Sequence, residues 1–201
     1  EPNWQLAHDL LMPAFTKQAM RSYHPIMLDT ARELFAYWNR RGETDPTTGT
    51  QCTAGTDVTR DMTKLTMETL SRAAFSHDFG SFTSTQPHPF VGAMVRALET
   101  GRRKGGLGTA PGGRWLIKLL DRRNADAQAY VDGLLDDLIA ERVAGRRDAT
   151  TDPSGQRDLL GIMLDVAHPE TGERLSPLNI RYQIVTFLVA GHETTSGALS
   201  F

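Results

Sequence analysis

Residues 185–201 read V-T-F-L-V-A-G-H-E-T-T-S-G-A-L-S-F, and this stretch decides the fold. Its apolar start predicts a helix, which Ser176 opens as N-cap and Pro177 as first helical residue. Its middle does not suit a helix that only packs, because five residues of low helix propensity lie within little more than two turns: Gly191, Thr194, Thr195, Ser196 and Gly197. Such a local violation in a well-formed element indicates a functional site.

The rest of the chain predicts further helices and no strand of weight, so the expected fold class is all-α with one long final helix. Pro25 is expected to open a helix that Gly42 ends, and Asp57 to cap the helix after it. A surface loop is predicted at 43–56 and a glycine-rich connector at 101–113. The helices are expected at residues 2–12, 15–23, 25–41, 58–75, 90–103, 115–144, 158–166 and 177–201.

Composition favours a globular protein that does not bind nucleic acid. The 201 residues suffice for one domain, and the formal net charge of −2 provides no basic surface for a polyanion. No apolar run reaches the roughly 18 residues of a membrane-spanning helix. The single cysteine, Cys52, fits a reducing compartment, so we expect a cytoplasmic location. Its polar surroundings lack basic or metal-ligand neighbours, which indicates an incidental thiol.

Residues 191–195 allow three interpretations, of which the first is zinc binding. His192 and Glu193 begin an H-E-x-x-H pattern, but Ser196 stands where the second histidine is needed, so zinc is excluded. The second interpretation is close helix crossing at small residues, which explains Ala190, Gly191 and Gly197. It does not explain Glu193, which the pattern predicts to be buried, because burying a carboxylate is costly unless it is paired or functional.

The third interpretation is a face for a cofactor. A narrow strip of mostly small side chains recurs at helical spacing, consisting of Phe187, Ala190, Gly191, Thr194 and Ala198. A flat, rigid group could approach the backbone there. Thr194 would direct its hydroxyl at that group, and Glu193 would lie just off the same face, so the two could deliver protons.

A second candidate site lies near the start of the chain. Trp4 and His8 are four residues apart in the first predicted helix and therefore share one side of it. Both can donate N–H hydrogen bonds, and two such donors could bind an anion. From the residues alone, the alternative that Trp4 packs and His8 lies at the surface stays open.

Residues 190–195, A-G-H-E-T-T, resemble the distal helix of the cytochrome P450 monooxygenases, whose pattern is A-G-x-D/E-T-T/S. The similarity covers nearly the whole chain. Within the family it is strongest to bacterial fatty-acid hydroxylases that are fused to a diflavin reductase. The segments that carry it are residues 1–4, 57–70, 86–90, 94–98 and 179–201.

The resemblance implies a role for each candidate residue around a haem b. Thr194 and Glu193 would deliver protons that favour O–O bond cleavage over release of peroxide. Trp4 and His8 match a W-x-x-x-R/H helix that binds a haem propionate, which reverses the surface interpretation of that pair. The remaining cofactor contacts would be Phe187 at the haem edge and Ala190, Gly191 and Thr195 on the distal side. Leu98 and Ala190 would contact substrate.

The resemblance also implies partners. The substrates would be dioxygen and a long-chain fatty acid, hydroxylated near its ω end. Electrons would pass from NADPH through the FAD and FMN of a flavin reductase domain, with Leu11 and Met12 as candidate contacts. The alternatives are a stand-alone monooxygenase served by a ferredoxin, or a non-catalytic all-α binding module.

Two family features are missing from the sequence. It contains neither the F-x-x-G loop with its haem-ligating cysteine nor the E-x-x-R helix, and Cys52 does not match that loop. We therefore expect residues 1–201 to be a partial haem domain without the N-terminal sheet and the Cys-ligand region. This segment alone is expected neither to form a thiolate-ligated haem nor to turn over substrate.

Overall fold

The protein is described from a computed structural model, which describes residues 2–44, 51–52, 56–84, 86, 88–107, 113–148 and 158–201. The predicted all-α class is confirmed. One short antiparallel strand pair joins Glu43 to Cys52 and Thr44 to Gln51, within the predicted surface loop. In chain order the elements are α1 (Pro2–Leu11), a 3-10 turn (Met12–Phe15), α2 (Lys17–Arg41), β1 (Glu43–Thr44), β2 (Gln51–Cys52), α3 (Val58–Phe75), α4 (Pro89–Leu107), α5 (Gly113–Asp148), α6 (Leu159–Asp165) and α7 (Pro177–Leu199).

Side-chain caps start three of these helices, at Asp57 and Ser176 as the sequence predicts and also at Asp158, which was expected to be the first helical residue. The side-chain oxygens of Asp57, Asp158 and Ser176 each accept a hydrogen bond from the backbone N–H three residues later, at 3.0, 2.8 and 3.2 Å. Each cap satisfies a backbone donor that the first helical turn leaves without a partner. Between α6 and α7, Gly172 has a φ of +71°, a left-handed conformation that suits the tight turn in which its N–H donates to the His168 carbonyl at 2.9 Å.

The predicted break at Pro25 is wrong, because α2 runs unbroken from Lys17 to Arg41. Thr16 caps it by accepting a hydrogen bond from the Ala19 N–H at 3.3 Å. An interior proline costs about 3 kcal/mol, but continuous packing of the buried face of α2 outweighs that local penalty. Gly42 ends the helix in an extended conformation (φ −68°, ψ 131°) and so does not act as a left-handed cap.

The glycine-rich connector is shorter than predicted. Helix α4 continues to Leu107 and α5 begins at Gly113, so Gly101 and Gly105 lie inside a helix. Residues 108–112 lie outside the described part of the chain. Glycine lowers helix propensity only weakly against tertiary packing, and here α4 packs against α5.

The chain divides into two compact units. One comprises Glu1–Gln86 and Ala149–Phe201, and the other is Pro87–Asp148. In the first, α3 packs along α7 and α1 packs against α6 and α7. The second consists of α4 and α5. Among the described residues, no helix is both long enough and apolar enough to cross a bilayer.

Candidate functional site

Helix α7 has two opposite faces with different side chains. One stripe is buried inside the first unit and consists of Ile184, Leu188, His192 and Ser196. The other is exposed and consists of Thr186, Ala190, Thr194 and Ala198. Both stripes repeat every four residues, the spacing that places side chains one above another along a helix. The exposed stripe carries nothing larger than threonine, so an approaching group could come close to the backbone.

Gly191 lies where α7 crosses α3. A Cβ atom added to it would lie 2.9 Å from Cδ2 of Leu70, a distance that side chains do not tolerate without a shift. At Gly197 an added Cβ would meet nothing within 4 Å. Close helix crossing therefore explains Gly191 but not Gly197. The distal-haem role of Gly191 stays a prediction, as does that of Thr195, whose side chain is exposed.

The expected burial of Glu193 is wrong, because its side chain is exposed. Residue 193 follows the buried His192 by one position, which turns it about 100° around the helix axis toward the exposed stripe. The carboxylate therefore carries no burial cost. It lies beside Thr194 with access to solvent.

Three side chains in the middle of α7 donate hydrogen bonds to backbone carbonyls of the same helix. The Thr194 hydroxyl donates to the Ala190 carbonyl at 2.8 Å, and the Ser196 hydroxyl donates to the Glu193 carbonyl at 3.0 Å. Nδ1 of His192 lies 2.6 Å from the Leu188 carbonyl, so Nδ1 must carry the proton. Side-chain donors of this kind compete with the helical N–H groups and weaken the helix locally.

The Thr194 hydroxyl can still accept hydrogen bonds. Its single hydrogen points to the Ala190 carbonyl, but its oxygen keeps two lone pairs on the exposed stripe. The hydroxyl can therefore accept a proton or a hydrogen bond there, and it can donate after rotation about the Cβ–Oγ1 bond. These capacities are the ones that a proton-transfer group needs.

A cleft of about 140 Å³ between α1 and α7, here the α1–α7 cleft, brings five predicted site residues together. The Trp4 and His8 rings stack with centroids 5.0 Å apart, and Phe15 stacks on Phe187 at 5.8 Å. Trp4 is 59% exposed. The predicted residues that line this cleft are Trp4, His8, Leu11, Met12 and Phe187.

Asp9 orients His8, a contact that the sequence analysis missed. Nδ1 of His8 donates to Oδ1 of Asp9 at 3.0 Å, so Nε2 is the ring nitrogen left for another partner. Gln5 donates to both oxygens of Asp9, at 2.9 and 3.0 Å. The hydrogen bonds from Gln5 and then His8 lower the pKa of the Asp9 carboxyl. The i, i+4 spacing of Gln5 and Asp9 was the available sequence signal.

Two of the predicted contact residues differ in accessibility. Leu11 is only 4% exposed, whereas Met12 is 52% exposed. A docking protein can therefore reach the Met12 side chain, but the prediction of Leu11 as a surface contact is wrong. The reason is that Leu11 ends the buried face of α1, where Ala7 and Leu10 are also buried.

Two further predictions fall on side chains that the structure does not describe. Leu98 lies on α4 and Cys52 on β2, but the side chains of both are outside the described residues. The role of Leu98 in substrate contact therefore stays a prediction. Among the described residues, no group of three or more histidine, cysteine or acidic side chains is placed to hold a metal ion.

A larger apolar cavity of about 380 Å³ lies between α2, α3 and α7. Met27 of α2 and Leu65 and Leu70 of α3 are among the side chains that line it. Gly191 and Thr195 contribute its α7 wall. Thr195 therefore faces an apolar cavity rather than the stripe that carries Thr194.

Comparison with known proteins identifies the family. The cytochrome P450 family model matches residues 1–201, so the chain belongs to the cytochrome P450 family. It is 41% identical over 202 residues to bifunctional cytochrome P450/NADPH–P450 reductase 1 of Bacillus subtilis (strain 168) and 38% identical over 202 residues to a bifunctional cytochrome P450/NADPH–P450 reductase of Fusarium oxysporum. Each match covers 100% of this chain and 17% of the relative. The chain thus spans about a sixth of these curated relatives.

A solved structure supports the same assignment. The heme domain of a cytochrome P450DA mutant superposes with a TM-score of 0.73 and 40% sequence identity. The match covers 98% of this chain and 39% of that chain. The family match favours a haem protein over the alternative of an all-α binding module.

The described residues fit a haem in two respects. The exposed stripe of α7 presents only small side chains at Ala190, Thr194 and Ala198, which would let a flat ring approach the backbone. In the α1–α7 cleft, the indole N–H of Trp4 has no hydrogen-bond acceptor among the described residues and is available to an anionic group. Nε2 of His8 is available to the same group.

Proposed function

We propose that residues 1–201 are part of the haem domain of a monooxygenase that inserts one oxygen atom into a C–H bond of a long-chain fatty acid. The observation that carries the proposal is the exposed stripe of α7, where Thr194 and Glu193 lie beside Ala190 in a chain of the cytochrome P450 family. The fatty-acid class comes from the resemblance, with Leu98 and Ala190 as substrate contacts.

Bound haem b would supply the redox chemistry that activates dioxygen. Trp4 and His8 would hold a propionate through Nε1 and Nε2, and Phe187 would contact the ring edge. Asp9 would keep His8 in the orientation that directs Nε2 into the α1–α7 cleft. Ala190 and Gly191 would leave room for the ring and the substrate, and Thr195 would contribute to the distal side.

The proton-delivery role falls to two neighbouring side chains. Thr194 directs its hydroxyl hydrogen at the Ala190 carbonyl, 2.8 Å away, and would turn it toward the exposed stripe by rotating about the Cβ–Oγ1 bond. Glu193 is exposed, so its carboxyl can exchange protons with water and return one to Oγ1 of Thr194 through solvent. The small side chains at Ala190 and Ala198 leave the hydroxyl accessible from the exposed stripe.

Electrons would come from NADPH through the FAD and FMN of a reductase domain in the same polypeptide. This part of the proposal is supported by the relatives, whose names join a cytochrome P450 to an NADPH–P450 reductase. Met12, at the rim of the α1–α7 cleft, is the accessible candidate contact for that domain. The cytoplasmic location stays a prediction of the sequence.

The test uses the full-length protein with haem, NADPH and a straight-chain fatty acid under labelled dioxygen. We expect one labelled oxygen atom in a hydroxylated fatty acid, without added ferredoxin. A matched series of alkanols serves as the control for recognition of the carboxylate. If turnover requires an added ferredoxin, the protein is a stand-alone monooxygenase and not one fused to its reductase. If only substrates other than fatty acids are oxidised, the proposed substrate class is wrong.

A further inference from the structure

We propose that Thr66 on α3 is a positioning residue for the turn of α7 that carries Glu193 and Thr194, acting through the carbonyl of His192. Oγ1 of Thr66 lies 3.2 Å from that carbonyl oxygen, across the helix pair and 126 residues away in the chain. Thr66 is only 6% exposed, so water does not compete freely for this contact. The inference rests on the proposed function, because it names what holds the proposed proton-delivery turn in place.

The Thr66 hydroxyl has three acceptors within reach and one hydrogen to donate. The Met62 and Thr63 carbonyls of its own helix lie at 3.0 and 3.2 Å, and the His192 carbonyl lies at 3.2 Å. The two α3 carbonyls already accept from helical N–H groups, so those contacts add little order between helices. Donation to His192 instead connects α3 to α7.

The segment of α7 that carries Glu193 and Thr194 needs contacts from another helix to stay ordered. Residues 191–197 contain two glycines and three hydroxyl side chains, which stabilise a helix poorly. The hydroxyls of Thr194 and Ser196 also donate hydrogen bonds to backbone carbonyls of this segment and so compete with the helical N–H groups. Such a segment opens locally more easily than its neighbours unless tertiary contacts hold it.

Two further contacts hold the backbone next to the His192 carbonyl, one with α3 and one within α7. Gly191 lets Leu70 approach so closely that an added Cβ would lie 2.9 Å from Cδ2. The His192 ring is buried and its Nδ1 donates to the Leu188 carbonyl at 2.6 Å. The backbone just before Glu193 is thus held on the buried side of α7, while the side chains of Glu193 and Thr194 remain exposed.

The experiment compares Thr66→Val with Thr63→Val in the full-length, haem-loaded protein. Valine keeps the shape of threonine and removes only the hydroxyl. Thr63 is the matched control, because its hydroxyl donates at 2.9 Å to the Thr59 carbonyl of its own helix. Thr66→Ser restores the hydroxyl. Two quantities are measured, namely deuterium uptake of the peptide covering residues 188–199 and hydroxylated product formed per NADPH.

We expect Thr66→Val to speed deuterium uptake of that peptide about fivefold, the effect of losing one net hydrogen bond. Product per NADPH should fall about twofold or more with KM unchanged, because the turn is misplaced rather than the substrate lost. Thr66→Ser should restore both quantities, and Thr63→Val should change neither. If Thr66→Val does not fold, Thr66→Ala compared with Thr66→Ser replaces it.

Three results would overturn the inference. Unchanged deuterium uptake in Thr66→Val would show that the hydroxyl does not hold the turn. Faster uptake with unchanged product per NADPH would make Thr66 a structural residue only. Equal effects of Thr66→Val and Thr63→Val would remove the special role of the His192 contact. Thr194→Ala distinguishes this inference from the proposed function. If Thr194→Ala forms as much product per NADPH as the parent protein, the proposed function is wrong. If Thr194→Ala forms less product per NADPH but Thr66→Val does not, only this inference is wrong.

Discussion

The buried and exposed faces of α7 share one helix and one spacing but differ in side-chain size and in their contacts with other helices. The buried face carries Ile184, Leu188, a histidine and a serine, and α3 contacts this side of the helix through Leu70 and Thr66. The exposed face carries alanines and threonines, whose polar contacts stay within α7 itself. The difference shows that tertiary contacts support this segment of low helix propensity from one side only, while the opposite side stays exposed.

The largest expected effect comes from breaking the buried face. Leu188 is fully buried, and Leu188→Ala should lower the free energy of unfolding by about 3 kcal/mol through lost apolar contact and a cavity. Thermal denaturation of the full-length, haem-loaded protein measures the loss. Leu178→Ala on the same helix is the control, because Leu178 is 57% exposed and should cost about 0.5 kcal/mol or less. Similar losses in the two variants would contradict the assignment of faces.

A smaller effect is expected where the two helices cross. Gly191→Val should cost about 2 kcal/mol, because the new side chain would push against Leu70 and separate α3 from α7. Gly197→Val is the matched control, since a Cβ there meets no atom within 4 Å. The same thermal denaturation measures both variants. A Gly191→Val protein as stable as Gly197→Val would mean that the crossing does not require glycine.

The smallest expected effect lies outside α7, at Asp9 on the exposed side of α1. Its pKa is lowered by the hydrogen bonds from Gln5 and His8, so the folded state binds the proton of this carboxyl less tightly than the unfolded state. The stabilisation is therefore complete above the unfolded pKa and is lost as the pH falls through the lowered folded pKa. The Tm difference between the parent protein and Asp9→Asn should shrink over that acidic range. A constant difference would contradict the linkage.

The sequence predicted the features that depend on neighbouring residues. The predicted caps at Asp57 and Ser176 need only local chemistry, and the structure has both. The spacing likewise placed Ala190, Thr194 and Ala198 on one face. It wrongly added two residues to that strip, because Gly191 lies against Leu70 of α3 and Phe187 stacks on Phe15 in the α1–α7 cleft. Predictions failed where tertiary packing outweighs a local preference, as at Pro25 inside α2 and at the glycines inside α4.

The site shows the same division. Glu193 was expected to be buried because its stretch is apolar, but which side of a helix is covered depends on the partner helix. The contact of Thr66 with His192 joins residues that are 126 positions apart in the sequence, so no local sequence pattern predicts it. Leu11 and Met12 are adjacent in sequence, yet only the fold distinguishes the buried side chain from the exposed one.

The central claim is that the exposed face of α7 delivers protons, and a pair of threonines on that face tests it most directly. Thr194 donates to the Ala190 carbonyl at 2.8 Å, and Thr186, two turns earlier on the same stripe, donates to the Tyr182 carbonyl at 2.7 Å. The two therefore share exposure and helix geometry but not proximity to Glu193.

The measurement is hydroxylated product and hydrogen peroxide per NADPH consumed, in the full-length Thr194→Ala and Thr186→Ala proteins with a fatty-acid substrate. Thr194→Ala should lower product per NADPH about tenfold or more and raise peroxide correspondingly, because the proton donor is lost. Thr186→Ala should keep the product-to-NADPH ratio of the parent protein. A Thr194→Ala protein that stays as tightly coupled as Thr186→Ala would contradict the account.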